Sequence, residues 1–257
     1  MLTPPPGRDL LAGKRVVVTA AAGTGIGSAV AQRCLMEGAH VLVSDIHERR
    51  LGETADRLAD ETGTRPDTAM CDVTVEADVQ ALVAAAVDTM GGIDVMMNNA
   101  GLGGQVKLVD MTDEQWSAVL AVTLDGTMRC TRAAMRHMIE AGIRGAIINN
   151  ASVIGWRAQI EQCHYAAAKA GVMALTRCSA LEAAEHGINV NAVAPSIAMH
   201  AFLEKVSDPA LLESLAADEA FGRAAEPWEV ANVMVFLASD LAGYMTGEIV
   251  SVSSQHP

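Results

Sequence analysis

Three polar side chains stand out in the stretch SVIGWRAQIEQCHYAAAK: Ser152, Tyr165 thirteen residues on, and Lys169 four further. On a helix, Tyr165 and Lys169 are i and i+4 and share a face. A free tyrosine has a pKa of about 10 and is a poor base at neutral pH. A neighbouring ammonium stabilises the phenolate, and a cationic nicotinamide ring would add to that effect. The phenol can then pass a proton to or from a hydroxyl. The Ser152 hydroxyl can hold the same substrate oxygen. The trio therefore suits carbinol–carbonyl interconversion coupled to hydride transfer. Tyr-x-x-x-Lys alone is common by chance; Ser152 at this spacing, in this order of elements, makes it specific.

A second group lies near the start, in TAAAGTGIG at 19–27. Gly23, Gly25 and Gly27 fall where a β-branched run gives way to a helical one. Glycine permits a tight turn and close backbone approach to a pyrophosphate, and the helix N-terminus offers free N–H groups. Gly23, Thr24, Gly25, Ile26 and Gly27 are thus candidate dinucleotide ligands. Asp45 follows about twenty residues later, the spacing of a ribose-binding acid. A carboxylate there accepts both ribose hydroxyls and repels a 2′-phosphate, favouring NAD over NADP. An ordinary surface aspartate near a helix start would look the same. Arg49 and Arg50 soften the preference but read as solvated helix residues.

These groups need a frame. Apolar runs at 14–20, 39–45, 67–73, 92–101, 145–152, 188–195 and 247–253 read as strands. Helical patterns lie between them at 28–37, 47–61, 76–90, 113–140, 163–186 and 227–238. The alternation predicts an α/β domain with a seven-stranded parallel sheet covered on both faces, a doubly wound Rossmann-type fold. In such sheets the ligand sits beyond the carboxyl ends of the strands. Residues 14–257 are expected to form this one domain, after an arm at 1–13 whose PPP segment reads as poorly ordered.

Composition narrows the partners. The chain has 257 residues, ample for one α/β core. Half are hydrophobic but only 3% aromatic, so Ala, Val, Leu, Ile and the fourteen methionines must fill the core. A net charge of −13 argues against nucleic acid and against an anionic membrane surface. The five cysteines, Cys34, Cys71, Cys130, Cys163 and Cys178, form no metal-binding pattern. They read as reduced thiols of a cytoplasmic protein, with no metal expected. No apolar run approaches transmembrane length, and no signal-peptide pattern opens the chain.

The GTGIG turn, CDV at 71–73, NNAG at 98–101, Ser152 and YAAAK at 165–169 resemble the short-chain dehydrogenase/reductase family of single-domain kind. The resemblance runs from about residue 14 to 253. It implies that Asp72 and Val73 flank the adenine, and that Asn99, Ala100 and Gly101 line the cofactor and brace the sheet. Tyr165 and Lys169 would contact the nicotinamide ribose, and Ile197 and Ala198 the carboxamide. A segment at about 196–222 would cover the substrate. A homotetramer or homodimer is implied, built on long helices and the last strand.

Three departures matter. Ala20 stands where the family has its first glycine, and the turn is one residue longer. Thr123, in VTLDG, replaces an asparagine that supports a water in a proton relay to the lysine. Thr123 either joins that relay or is a buried, backbone-bonded residue. PS at 195–196 replaces PG, and SVSSQHP ends the chain. On the substrate side, Trp156, Arg157 and His200 are the candidates, with Gln105, Lys107, His164, Phe202 and Lys205 nearby. Arg157 or Lys107 would suit a carboxylate or a CoA phosphate, although each also reads as a surface charge. Met199, Phe202, Leu203 and Trp156 fit a bulky apolar substrate, or equally lid packing or a subunit contact.

The segments TAAAGTGIG, NNASVIGWRAQ, HYAAAKAGVMALTRCSA and EAFGRAAEPWEVA narrow the resemblance to the family's actinobacterial steroid-degradation reductases. These act on hydroxylated indane-propionate CoA thioesters. The expectation is thus an NAD-dependent oxidoreductase with a small-molecule substrate, a CoA thioester among the candidates. A 3-oxoacyl-carrier-protein reductase or another alcohol dehydrogenase is the rival enzyme. A catalytically silent nucleotide-binding protein is the rival of another class.

Overall fold

Every other residue along the central strands points to the same side, and both sides are apolar, so the chain must cover the sheet twice. The computed structural model describes residues 3–199, 203 and 209–254. The strands are β1 Arg15–Val18, β2 His40–Asp45, β3 Asp67–Met70, β4 Val95–Asn98, β5 Ala146–Asn150, β6 Asn189–Pro195 and β7 Ile249–Val252. They pair in parallel in the order β3-β2-β1-β4-β5-β6-β7. The helices are α1 Ile26–Met36, α2 Glu48–Thr62, α3 Glu76–Met90, α4 Asp113–Leu120, α5 Gly126–Ala141, α6 Cys163–Ala184, α7 Pro209–Asp218 and α8 Pro227–Ala238.

Two cores result. Val16, Val18, Val41, Val43, Met97 and Ile148 face α1, α2 and α8. Val17, Leu42, Met96, Ile147 and Val190 face α3, α5 and α6. Met96, Met97, Met138 and Met173 are among the largest fully buried side chains, filling volume that aromatics would otherwise take. The strand order reverses between β1 and β4. Their carboxyl ends therefore open a crevice, and that is where this fold class binds ligands.

The helical region expected over 113–140 is present as α4 and α5, joined by a π turn at Ala121–Asp125 that carries Thr123. Such one-residue insertions in a helix are found mostly at functional sites. The arm expected to be loose is fastened down. Arg33 and Glu37, one turn apart on and just after α1, form a buried ion pair. Arg33 donates to the carbonyls of Pro5 and Pro6. Glu37 Oε2 accepts from the amides of Arg8 at 2.8 Å and Leu10 at 2.9 Å. Leu11 is thereby seated in the core. Nothing in PPPGRDLL announces this, because the partners are polar groups on α1.

Burial pushes the Glu37 carboxyl up, but the Leu10 and Arg8 amides and Arg33 outweigh it and hold the group below the usual carboxylate range. Its contribution to stability is present above the unfolded-state value and is lost as pH falls through the lower folded value. Glu37→Ala leaves Arg33 buried and uncompensated, and is expected to cost about 3–5 kcal/mol in urea denaturation. It should also expose the arm to limited proteolysis. Wild-type stability and an intact arm in that variant would contradict the strap.

Candidate active site

The site grows from the carboxyl end of β5. Asn150 closes the strand, Ser152 follows in extended backbone (φ −168), and a short 3-10 turn at Val153–Gly155 redirects the chain. Ser152 is almost fully buried. Its Oγ accepts from the Ile154 amide at 3.3 Å and donates to the Pro195 carbonyl at 3.4 Å. The second bond is long, so the hydroxyl is held in place with its proton weakly committed. The chain returns as α6, and its first two turns bring Tyr165 and Lys169 to one face. Lys169 is 3% exposed. Its Nζ donates to the Asn150 carbonyl at 2.5 Å and lies 5.5 Å from the centre of the Tyr165 ring.

Asn150 extends the chain of bonds. Its Nδ2 donates to Asn99 Oδ1 at 2.9 Å. Asn99 Nδ2 donates to the carbonyls of Ala20, at 3.0 Å, and Thr19, at 3.3 Å. Thr19 Oγ1 accepts from the amides of Asn99 and Ala100 in return. The lysine on α6 is thus linked to the glycine turn after β1. Below this layer, the cross-strand pair Asn98 and Asn149 bond at 2.9 Å and reach Thr131 and Thr176. Polar residues at these central positions have partners, which is what lets them sit in a core.

Electrostatics differ from the expectation that Lys169 lowers the tyrosine. Burial pushes the Tyr165 phenol above its ordinary value, with the Ser152 hydrogen bond opposing. Burial also pushes the Lys169 ammonium down to about 7. Desolvation disfavours both charged forms. Both groups are thereby biased towards their neutral forms. His164, buried next to Tyr165, accepts from the Tyr165 amide through Nδ1 at 2.9 Å. Burial lowers its pKa, disfavouring the charged imidazole, with a backbone hydrogen bond opposing. The loop after β4 lies over these two residues. A Cβ on Gly103 would touch the Tyr165 ring at 3.7 Å, and one on Gly104 would reach His164 Nε2 at 3.2 Å.

Thr123 is fully buried, and its hydroxyl donates to the Leu102 carbonyl at 3.0 Å while accepting the Leu102 amide at 2.9 Å. The hydroxyl has one proton, and Leu102 holds it. Of the two readings open in the sequence, the geometry matches the backbone-bonded one. Thr123 fixes the loop that begins at Gly101, where an added Cβ would lie 3.5 Å from Lys169 Nζ and 3.9 Å from Thr123 Oγ1.

The candidate cofactor residues line the same crevice. Gly25 starts α1 with no side-chain cap, leaving first-turn N–H groups open to an anion. A Cβ on Gly27 would lie 2.4 Å from the Ala20 carbonyl, so only glycine allows α1 this close to β1. Ala20 occupies the left-handed region (φ +51), a conformation that suits the glycine it replaces. Asp45, at the end of β2, accepts from the amides of Ala22 at 3.2 Å and His47 at 3.1 Å, one on each oxygen. Asp72 Oδ1 accepts from the Thr74 amide and hydroxyl in a tight turn after β3, and Val73 packs against Gly126. Ile197 and Ala198 bridge to Ala225, which draws the chain after β6 and the chain before α8 together. Asn150 Oδ1 is buried and has no protein partner. Free amides, an acid at the ribose position and an orphaned acceptor beside Lys169 together fit a nicotinamide dinucleotide.

The substrate side is less complete. Trp156 is 41% exposed at the rim. Arg157 lies 3.5 Å from Ser253 and so is held against the C-terminal segment. Gln105 and Lys107 are exposed. His200, Phe202 and Lys205 lie outside the described residues. The sequence reading missed Ser254, which bonds the buried Glu219 through both its amide and its hydroxyl and anchors the end of the substrate segment. It also missed Thr54 and Arg57 on α2, which reach the glycine turn.

Comparison with known proteins agrees with this geometry. A family model described as Enoyl-(Acyl carrier protein) reductase matches residues 20–254. The chain is 61% identical over 251 residues to the (5R,7aS)-5-hydroxy-7a-methyl-1-oxo-2,3,5,6,7,7a-hexahydro-1H-indene-carboxyl-CoA reductase of Mycobacterium tuberculosis, covering 98% of this chain and 96% of that one. It is 37% identical to a 3-oxoacyl-[acyl-carrier-protein] reductase of Thermotoga maritima, covering 94% and 97%. A crystal structure of a short chain dehydrogenase from Mycobacterium smegmatis superposes with a TM-score of 0.89 at 57% identity, covering 100% and 98%.

The strained Ala20 gives a direct check. Ala20→Gly is expected to raise unfolding stability by up to about 1 kcal/mol, since relief of the left-handed conformation exceeds the added chain entropy. Chemical denaturation measures it; a loss of stability would contradict the assigned conformation.

Proposed function

The chain belongs to the short-chain dehydrogenase/reductase family, and on that premise we propose that it interconverts a ring hydroxyl and a ring ketone on a hexahydroindene-carboxyl-CoA thioester, using NAD. Family membership makes it a nicotinamide-dependent oxidoreductase. The finer reading rests on the meeting of Ser152, Tyr165 and Lys169 at the mouth of the crevice, and on the name of the Mycobacterium tuberculosis relative. That name carries a carboxyl thioester, shorter than the propionate expected from sequence resemblance, so the shorter acid is the one proposed here.

A dinucleotide bound along the crevice supplies hydride exchange with the carbinol carbon. The protein handles the proton. Tyr165 Oη gives it to the carbonyl oxygen in reduction and takes it from the hydroxyl in oxidation. Ser152 Oγ turns from the long bond to Pro195 and holds the same oxygen. Lys169 refills the phenol's proton, since it titrates close to neutrality. Burial disfavours the phenolate, with the Ser152 hydrogen bond opposing. For the cofactor, the backbone amides fix both Asp45 oxygens and leave outward lone pairs for a ribose diol. The same charge disfavours a 2′-phosphate.

The test is reduced-nicotinamide absorbance with NAD and NADP against the hydroxyindene-carboxyl-CoA ester, its free acid and a 3-hydroxyacyl thioester. Turnover with NAD and the indene ester is expected. Faster turnover of the 3-hydroxyacyl thioester would overturn the substrate assignment. Tyr165→Phe should lower kcat by about a thousandfold or more while NADH binding stays near wild type; full activity would remove Tyr165 from the chemistry. As pH rises through about 7, Lys169 loses its proton, so kcat/KM for reduction should fall. A profile flat across that range would contradict the role given to Lys169.

A further inference from the structure

The turn after β1 has one residue more than the family pattern, and Gly23 within it is tied down from α2. The Gly23 amide donates to Thr54 Oγ1 at 2.9 Å. The Gly23 carbonyl accepts from Arg57 Nη2 at 3.1 Å. The same Nη2 donates to Ser28 Oγ, on the first turn of α1, at 2.5 Å. Thr54 and Arg57 are three apart on α2 and share a face, and each is held in turn. Thr54 donates to the Arg50 carbonyl at 2.8 Å, and Arg57 Nη1 bonds Glu61 at 2.7 Å. Ala22, next in line, gives its amide to Asp45.

The amides before Thr24 are thus used up inside the protein, while those from Gly25 onward stay open at the uncapped start of α1. Packing does not supply this order. The outer side of the turn borders a cleft lined by Thr24, Ser28, Gln32, Arg57 and Trp228. Gly23 itself has open space where a Cβ would go and sits at φ +99. A glycine turn with such freedom keeps one shape only if its polar groups are captured.

We propose that Thr54 and Arg57 are positioning residues that set the register of the enlarged turn, so that its free amides meet the pyrophosphate of the dinucleotide. The proposal rests on the dinucleotide reading given above. Neither residue needs to touch the ligand. Arg57 also brings a positive charge to the back of the anion site, where it adds to the dipole of α1.

Calorimetric titration of NADH, ADP-ribose and adenosine into apo protein tests it. Thr54→Val and Arg57→Met should weaken NADH and ADP-ribose by at least about fivefold each, the scale of a lost bond to a buried backbone group. Adenosine, held through Asp45 without a pyrophosphate, should bind as in wild type. Thr54→Ser keeps the hydroxyl and should restore both dinucleotide-type ligands. A general loss of structure would instead weaken all three ligands and would not be rescued by serine, and that pattern overturns the proposal. So does unchanged affinity in both variants alongside normal wild-type binding. Failure of wild-type protein to bind NADH or ADP-ribose would overturn the dinucleotide reading itself.

Discussion

One chain of hydrogen bonds carries the architecture of the site. It runs from the Lys169 ammonium to the Asn150 carbonyl, from the Asn150 amide to Asn99, and from Asn99 to the carbonyls of Ala20 and Thr19. These residues come from α6 and from the ends of β5, β4 and β1. Parallel strands bring those ends to one edge, but nothing in strand pairing fixes how α6 stands relative to the glycine turn. The asparagines do. They couple the cluster of Ser152, Tyr165 and Lys169 to the glycine turn after β1. A shift in one is felt in the other, because buried polar groups that lose a partner are costly.

Burial biases both Tyr165 and Lys169 towards their neutral forms. Close placement of an amine and a phenol would suggest a salt-bridged phenolate, yet neither group faces enough water to ionise easily. A Lys169 carbonyl contact and a 5.5 Å approach to the ring do not repay that desolvation. The acidic surface does not enter this local balance, since exposed charges at long range are screened.

Much of this was legible in the sequence. The alternation of β-branched runs and helical stretches gave the seven-stranded sheet, because parallel strands covered on both faces must be apolar throughout. Ser152, Tyr165 and Lys169 were visible because their chemistry needs particular types at particular spacings. What escaped was whatever depends on bonds between distant segments. The arm looked loose because nothing within it points to its partners, Arg33 and Glu37. Thr54 and Arg57 carry no local signal within the charged helix, because their partners lie in the turn after β1. Thr123 stayed ambiguous, since only the π turn shows that Leu102 takes both sides of its hydroxyl. Glu219 and Ser254 are polar residues far apart in the chain, and no local pattern pairs them.

The central claim is that hydride leaves and returns to a ring carbinol carbon while Tyr165 handles the proton. The most direct test uses hydroxyindene-carboxyl-CoA deuterated at that carbon, with NAD under alkaline conditions that drive oxidation. Mass spectrometry then follows the label. Transfer of deuterium to the reduced nicotinamide, with turnover slower than for the protio ester, is the predicted result. Retention of the label on the ring while NADH accumulates would contradict the account.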